Sequence, residues 1–214
     1  KIGYAFTEPL IYPDLIESLQ YAKVKNLYTS ITTNALTLKQ KAKAVCESGL
    51  NDIFISLDGP EEIHNQIRGH KSSFQKAIEG IEELLKHSPR PNISIFCVIT
   101  EWNIGHLKEF ADYFKKFPLK QLGFMHTNFT PDFIVSNHNK IYGDKYPATI
   151  SNTEQIEISK MNLKILLDEI TEIKKSNYPF KVTFSPEIKT EAALDIFYNQ
   201  PEKLIGRICN DVYR

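Results

Sequence analysis

The chain has 214 residues, 42% hydrophobic and 24% charged, with 26 basic against 26 acidic side chains. That composition describes one folded domain with room for a substantial core, and it excludes disordered and fibrous classes. The balanced charge shows neither the basic excess nor the basic stripe of a nucleic-acid binder, and no apolar run reaches the roughly 20 residues that span a bilayer.

The opening lacks the consecutive regions of a signal peptide, so a cytoplasmic location is expected. A start without Met, directly in a strand-like run, suggests a piece of a longer chain. Cys46, Cys97 and Cys209 are too scattered for a disulfide framework or a local metal knuckle, and no metal ligand is assigned.

In chain order, a strand-like run at 1–6 (KIGYAF) precedes a helix within 12–26, where Pro13 suits the first turn and Ile16, Leu19 and Tyr21 or Ala22 keep an apolar face. A second run, 27–32, leads to a helix that Thr37 and Gln40 open at capping-box spacing and Gly49 closes. The third run, 52–57 (DIFISL), stops at the turn signal Asp58-Gly59-Pro60. Ser72 and Gln75 repeat the capping spacing before a helix with Phe74, Ile78, Ile81, Leu84 and Leu85 on one face.

The fourth run, 92–100, ends near Asn103, expected to cap a helix carrying Leu107, Phe110, Ala111 and Phe114. The fifth run is 120–126. Periodicity then lapses over 127–151, a polar stretch with interspersed aromatics that reads as a lid or substrate-facing insertion. Ser151 and Glu154 are expected to start a long helix through Ile173, followed by a sixth run at 180–185 and a short helix near 190–199.

Apolar strands separated by helix-length crossovers imply a parallel sheet covered by helices. The expected fold is α/β, a partial (β/α)6 TIM-like half-barrel core over 1–200, with its first βα unit missing, and 201–214 beginning a C-terminal tail.

Ligands in such folds bind at the carboxyl ends of the strands. Those ends carry Glu8, Thr33 with Asn34, Ser56 with Asp58, Thr100 with Glu101, and His126 with Asn128. Glu8, restrained by Pro9, offers a carboxylate to an ammonium group. Asn34 both donates and accepts. Ser56 and Asp58 flank Leu57 and so share a side of the strand. His64 and Arg68 lie one helical turn apart if their segment is helical, and the Arg68 fork matches a carboxylate.

The stretches FTEPLIYPDL, ITTNALTL and ISLDGPEEIHNQIRG, in that order and spacing over residues 1–126, resemble the radical S-adenosylmethionine enzymes, specifically the branch that often carries an auxiliary-cluster tail. The resemblance implies that Glu8 receives the cofactor's methionyl amino group and that Asn34 lines the site. It implies further that Ser56 and Asp58 lie near the amino-acid and ribose parts and that Arg68 faces the carboxylate. It implies a [4Fe–4S] cluster and S-adenosylmethionine in the parent protein, a 5′-deoxyadenosyl radical that abstracts hydrogen, and a peptide or protein substrate. No catalytic side chain is assigned, because the cofactor supplies that chemistry.

Three departures stand out. The family's glycine pair before the glutamate is Phe6 and Thr7, and the glycine after Asn34 is Ala35. Glycine there provides close approach or positive φ, so Phe6 is expected to narrow or block the cofactor pocket. The three-cysteine cluster loop, which should precede Lys1, is absent from this chain, so neither group is expected to bind it tightly and the fragment by itself is expected to be inactive. Cys209 resembles the first cysteine of the auxiliary tail. Two other readings stand beside this one: an acid–base enzyme using Glu8, Glu101 or His126, and a non-catalytic scaffold binding a peptide or protein through 127–151. The strand at 1–6 should expose a sheet edge open to pairing with another copy.

Overall fold

The computed structural model describes residues 1–5, 7–128, 130–150, 158–200 and 203. Six strands form one all-parallel sheet in sequence order: β1 (Ile2–Tyr4), β2 (Thr29–Thr33), β3 (Asp52–Ser56), β4 (Asn92–Ile99), β5 (Gln121–His126) and β6 (Lys181–Ser185). Between and after them run α1 (Leu15–Val24), α2 (Leu38–Ser48), α3 (Glu61–Arg68), α4 (Ser73–Leu85), α5 (Leu107–Tyr113), α6 (Asp132–Tyr142), α7 (Leu163–Lys175) and α8 (Glu191–Asn199). The sheet is open, the partial half-barrel that the alternating runs predict, and β1 and β6 are its edges.

The two faces of the sheet are buried to different degrees. On β4, Ile95, Cys97 and Ile99 are fully buried while Phe96 and Val98 between them are only half-buried. Period-two alternation assigns the first set to the face under the helices and the second to the concave face. Ile53 and Ile55 of β3 and Leu122 and Phe124 of β5 continue the covered layer, against Ala42, Val45, Ile81, Phe110, Leu166 and Ile170 from the helices. On the concave side Phe54 meets Phe96 edge-on, ring centroids 5.3 Å apart, and Gly123 leaves the room Phe96 occupies, since a Cβ there would stand 2.5 Å from its ring.

The rim at the amino ends of the strands is stapled by Asp52, which accepts from Tyr28 Oη (2.6 Å), Lys120 Nζ (2.9 Å) and Asn92 Nδ2 (3.0 Å). The opposite rim, at the carboxyl ends, is left to the site.

Several local expectations are corrected. Thr37 and Ser72 do precede α2 and α4, but neither side chain makes a capping bond. Helix α5 starts at Leu107, not after Asn103, and its end is capped from another element. Glu169 of α7 accepts from Gly105 N (2.7 Å), Leu107 N (2.8 Å) and Lys108 N (3.3 Å). Burial raises the Glu169 carboxyl above its ordinary range despite those three donors.

Helix α7 begins after Asn162, whose Oδ1 accepts from Ile165 N at 3.1 Å; Ser151 and Glu154 lie outside the described residues. The stretch 127–151, read as aperiodic, contains α6, where Val135 is buried and Phe133, Ile134, Ile141 and Tyr142 are exposed. A stripe that inverts the usual burial leaves little periodic signal to read.

Helices α2 and α4 approach closely at Gly80, where an added Cβ would stand 2.7 Å from Leu38 Cβ. An exposed helical Gly→Ala gains about 1 kcal/mol of propensity, whereas prying apart a packed contact costs about 1–3 kcal/mol. Gly80→Ala is therefore expected to lower stability in urea denaturation by about 1 kcal/mol; a gain would show that the helices part freely.

Candidate functional site

Asp58 follows β3 and is 4% exposed. Its backbone N–H donates to His64 Nδ1 (3.0 Å), its carbonyl accepts from Asn103 Nδ2 (2.9 Å), and its carboxylate accepts from Arg68 Nε (2.6 Å). His64 and Arg68 are the i, i+4 pair of α3, so both members of the spacing seen in sequence converge on one residue. Arg68 pairs with Asp58 rather than with Glu61 or Glu62.

The Nδ1 of His64 accepts a hydrogen bond from the Asp58 backbone N–H, so that nitrogen carries no proton, and the ring is neutral and does not form an ion pair with the Asp58 carboxylate 3.7 Å away. Burial holds its pKa down at about 4, outweighing the attraction of Asp58.

Asn103 is wholly buried. It accepts from Thr100 N (2.9 Å) and donates to Val98 O (2.6 Å) as well as to Asp58 O, joining the end of β4 to the turn after β3. Sequence reasoning took it for a helix cap; the only local signal for its real role is an Asx-type reach back to Thr100.

A cavity of about 590 Å3 opens beside these residues at the carboxyl ends of β4 and β5. Its lining includes Asp58, Arg68, Thr100, Trp102, Met125 and His126. Thr100 is 5% exposed and its Oγ1 has no hydrogen-bond partner among the described residues. His126 Nδ1 lies 2.8 Å from Tyr198 Oη. Trp102, Met125 and Thr127 also line the cavity and were not singled out in sequence.

Glu8, Thr33 and Asn34 form a separate cluster at the ends of β1 and β2. The Glu8 carboxylate accepts from Thr33 Oγ1 (2.6 Å), Asn34 N (2.7 Å) and Leu10 N (3.0 Å). Asn34 Oδ1 accepts from Leu36 N at 3.0 Å. A carboxylate has about four acceptor positions, so one remains on Glu8. Ser56 is half-buried on the concave face. Of the five sequence-predicted residues, Asp58 and Arg68 line the 590 Å3 cavity, Glu8 and Asn34 belong to the second cluster, and Ser56 is in neither.

Ala35 sits at φ +61°, fully buried. The backbone thus keeps the left-handed conformation for which a glycine would be suited, with an alanine in it. Phe6 and Cys209 lie outside the described residues. Cys46 and Cys97 are both buried, on α2 and β4. Burial pushes both thiols up from their ordinary values. Among the described residues no group of three or more metal-ligating side chains forms, so those residues do not fit an iron–sulfur cluster. The same residues do fit a polar cofactor: a buried carboxylate, a guanidinium and an unpartnered hydroxyl border one cavity.

Residues 1–114, just over half of the chain, match the profile of the radical SAM superfamily, and the chain belongs to that superfamily. It is similar to the Fe-coproporphyrin III synthase of Methanosarcina barkeri, 22% identical over 176 residues, covering 82% of this chain and 40% of that protein. Among solved structures it resembles Streptococcus suis SuiB (TM-score 0.60, 15% identity, 85% of this chain and 38% of that one). It also resembles anSMEcpe with bound AdoMet and a Cp18Cys peptide (TM-score 0.53, 22% identity, 84% and 49%). The chain spans less than half the length of each of these. No described helix is long and apolar enough to cross a membrane.

Two expectations follow from the geometry. An unfolded His64 binds a proton below about 6.5 and the folded one only below about 4. Between those values the unfolded chain holds more protons, so stability falls as pH drops through the window, by up to about 3 kcal/mol. His64→Gln, which keeps an acceptor for Asp58 N, should flatten that dependence in urea midpoints measured from pH 7 to pH 4.

At Ala35, relief of a left-handed strain of about 1–2 kcal/mol is set against the loss of a buried methyl, about 0.8 kcal/mol, and against unfolded-state entropy, about 0.4–1 kcal/mol. Ala35→Gly should therefore change stability by less than about 1 kcal/mol, while Ala42→Gly in α2 should cost about 2 kcal/mol. Equal losses at both positions would contradict the strain at residue 35.

Proposed function

We propose that this chain is the S-adenosylmethionine-binding core of a radical enzyme that abstracts hydrogen from a peptide or protein substrate. The observation that carries the reading is the Asp58 station: a carboxylate, its Arg68 partner and the Thr100 hydroxyl at the strand ends of a parallel half-barrel, in a chain of the radical SAM superfamily. The peptide substrate rests on the likeness to anSMEcpe, whose structure holds AdoMet and a peptide together.

In this reading Arg68 faces the cofactor's carboxylate, and Ser56 and Asp58 lie toward its amino-acid and ribose parts. Glu8 has one acceptor position left for the methionyl ammonium, and Asn34 Nδ2, which makes no bond among the described residues, offers donors beside it. When bound with a reduced [4Fe–4S] cluster, S-adenosylmethionine supplies a 5′-deoxyadenosyl radical. The residues of this chain bind and orient, and the dry layer under the sheet keeps the rim rigid. The open side of β1 remains available for a further strand, from the same protein or a second copy.

The test is anaerobic iron and sulfide analysis with electron paramagnetic resonance on the full-length protein. About four irons per chain, in a cluster whose signal shifts on adding S-adenosylmethionine, is the expected result. Asp58→Asn should weaken that cofactor's binding by about tenfold or more with the iron content unchanged. A folded, reconstituted protein that takes up no iron would overturn the reading.

A further inference from the structure

The loop after β4 carries Trp102, the single tryptophan of the chain, 43% exposed and lining the cavity beside Arg68 and Thr100. Scattered apolar side chains on a surface need no explanation. What distinguishes this one is its mount. The next residue, Asn103, is wholly buried and fastens the loop to Thr100, Val98 and Asp58. Two residues further on, Gly105 N donates to Glu169 of α7, followed by Leu107 N and Lys108 N. The indole is therefore presented to the cavity from a fixed support rather than from a mobile loop, and an aromatic held in that way loses little entropy on contact.

A second observation points to a ligand at the same place. The Thr100 hydroxyl is buried, borders the cavity and has no partner among the described residues; a buried polar group in that state costs free energy until something bonds to it. A flat apolar face, an unsatisfied hydroxyl and a guanidinium border one space of about 590 Å3. Together they match a planar ring carrying polar and anionic substituents better than an aliphatic group.

We propose that Trp102 is a recognition residue that stacks on a flat aromatic or heteroaromatic ring of the molecule bound in this cavity, with Thr100 bonding a polar atom beside that ring. The inference deepens the radical-enzyme reading and rests on it for the choice of ligand. The ring has two sources under that reading: the adenine of S-adenosylmethionine, or an aromatic side chain of the substrate peptide. Removing a stacked aromatic partner typically weakens binding by about tenfold, or about 1.4 kcal/mol.

Because Trp102 is the only tryptophan, its emission in the 214-residue chain reports this cavity alone. The chain is titrated with adenosine against methionine, and with N-acetyl-phenylalaninamide against N-acetyl-leucinamide. Binding of the same probes to wild type, Trp102→Phe and Trp102→Ala is read by calorimetry. The expected result is saturable quenching by one ring-bearing probe and not by its ringless counterpart. Affinity should be kept within about threefold in Trp102→Phe and reduced about tenfold in Trp102→Ala. Quenching by adenosine assigns the ring to the cofactor, and quenching by N-acetyl-phenylalaninamide assigns it to the substrate.

The proposal is overturned if no ring-bearing probe changes the emission more than its counterpart, or if the phenylalanine and alanine variants bind equally well. Calorimetry of S-adenosylmethionine on the cluster-loaded full-length protein separates this from the parent reading. Binding there with Trp102→Ala unimpaired and the aromatic amide inert removes the Trp102 inference alone. Absence of binding removes the radical-enzyme reading, while the aromatic-amide titration still decides Trp102.

Discussion

The clamp on Asp58 is the constraint around which the carboxyl rim is organised. Its amide, carbonyl and carboxylate are each engaged, by His64, Asn103 and Arg68 in turn. These partners come from α3 and from the loop after β4, so one residue couples the turn after β3 to both of its neighbours. Every polar group in the clamp except the outer face of Arg68 is sheltered from water, where hydrogen bonds are electrostatically stronger and unmade ones more costly. A ligand meeting this rim therefore encounters groups already aimed, with little to reorganise.

The sheet makes that rim possible by burying its two faces unequally. Ile95, Cys97 and Ile99 lie in a dry layer under the helices, while Phe96 and Val98 face a concavity that is only partly filled. Parallel sheets are usually covered on both faces. Here the second face is only partly filled and a cavity opens at its carboxyl end, while Asp52 and its three donors close the amino end. The amino rim is tied together and the carboxyl rim holds the cavity, the division expected of barrel-like α/β folds.

Much of this is legible in the amino-acid sequence. The runs at 52–57, 92–100 and 120–126 alternate with amphipathic stretches strongly enough to announce parallel strands and crossovers, and Gly49 ends its helix at φ +83° as its position suggests. The spacing of His64 and Arg68 announced a shared direction. The capping boxes at Thr37 and Ser72 were misleading because a motif records only which bonds are available: Leu38 N donates to Ala35 O at the start of α2, and Phe74 N to Asn65 Oδ1 at the start of α4. The cap on α5 could not have been read locally at all, since its acceptor, Glu169, lies more than sixty residues away.

The sequence by itself determined the strand order and the larger crossover helices, the set of polar strand ends and the family motifs, because these depend on residues close in sequence, where periodicity and turn chemistry act. Only the tertiary structure decided which strand ends share a cavity. It set Glu8 and Asn34 against β2 and gave Asp58, Arg68, Thr100 and Trp102 one space to border. It also turned Asn103 from an expected cap into a tie between strands. Those outcomes follow from how far the open sheet curves and which loops it brings together, a property of long-range packing that no local pattern encodes.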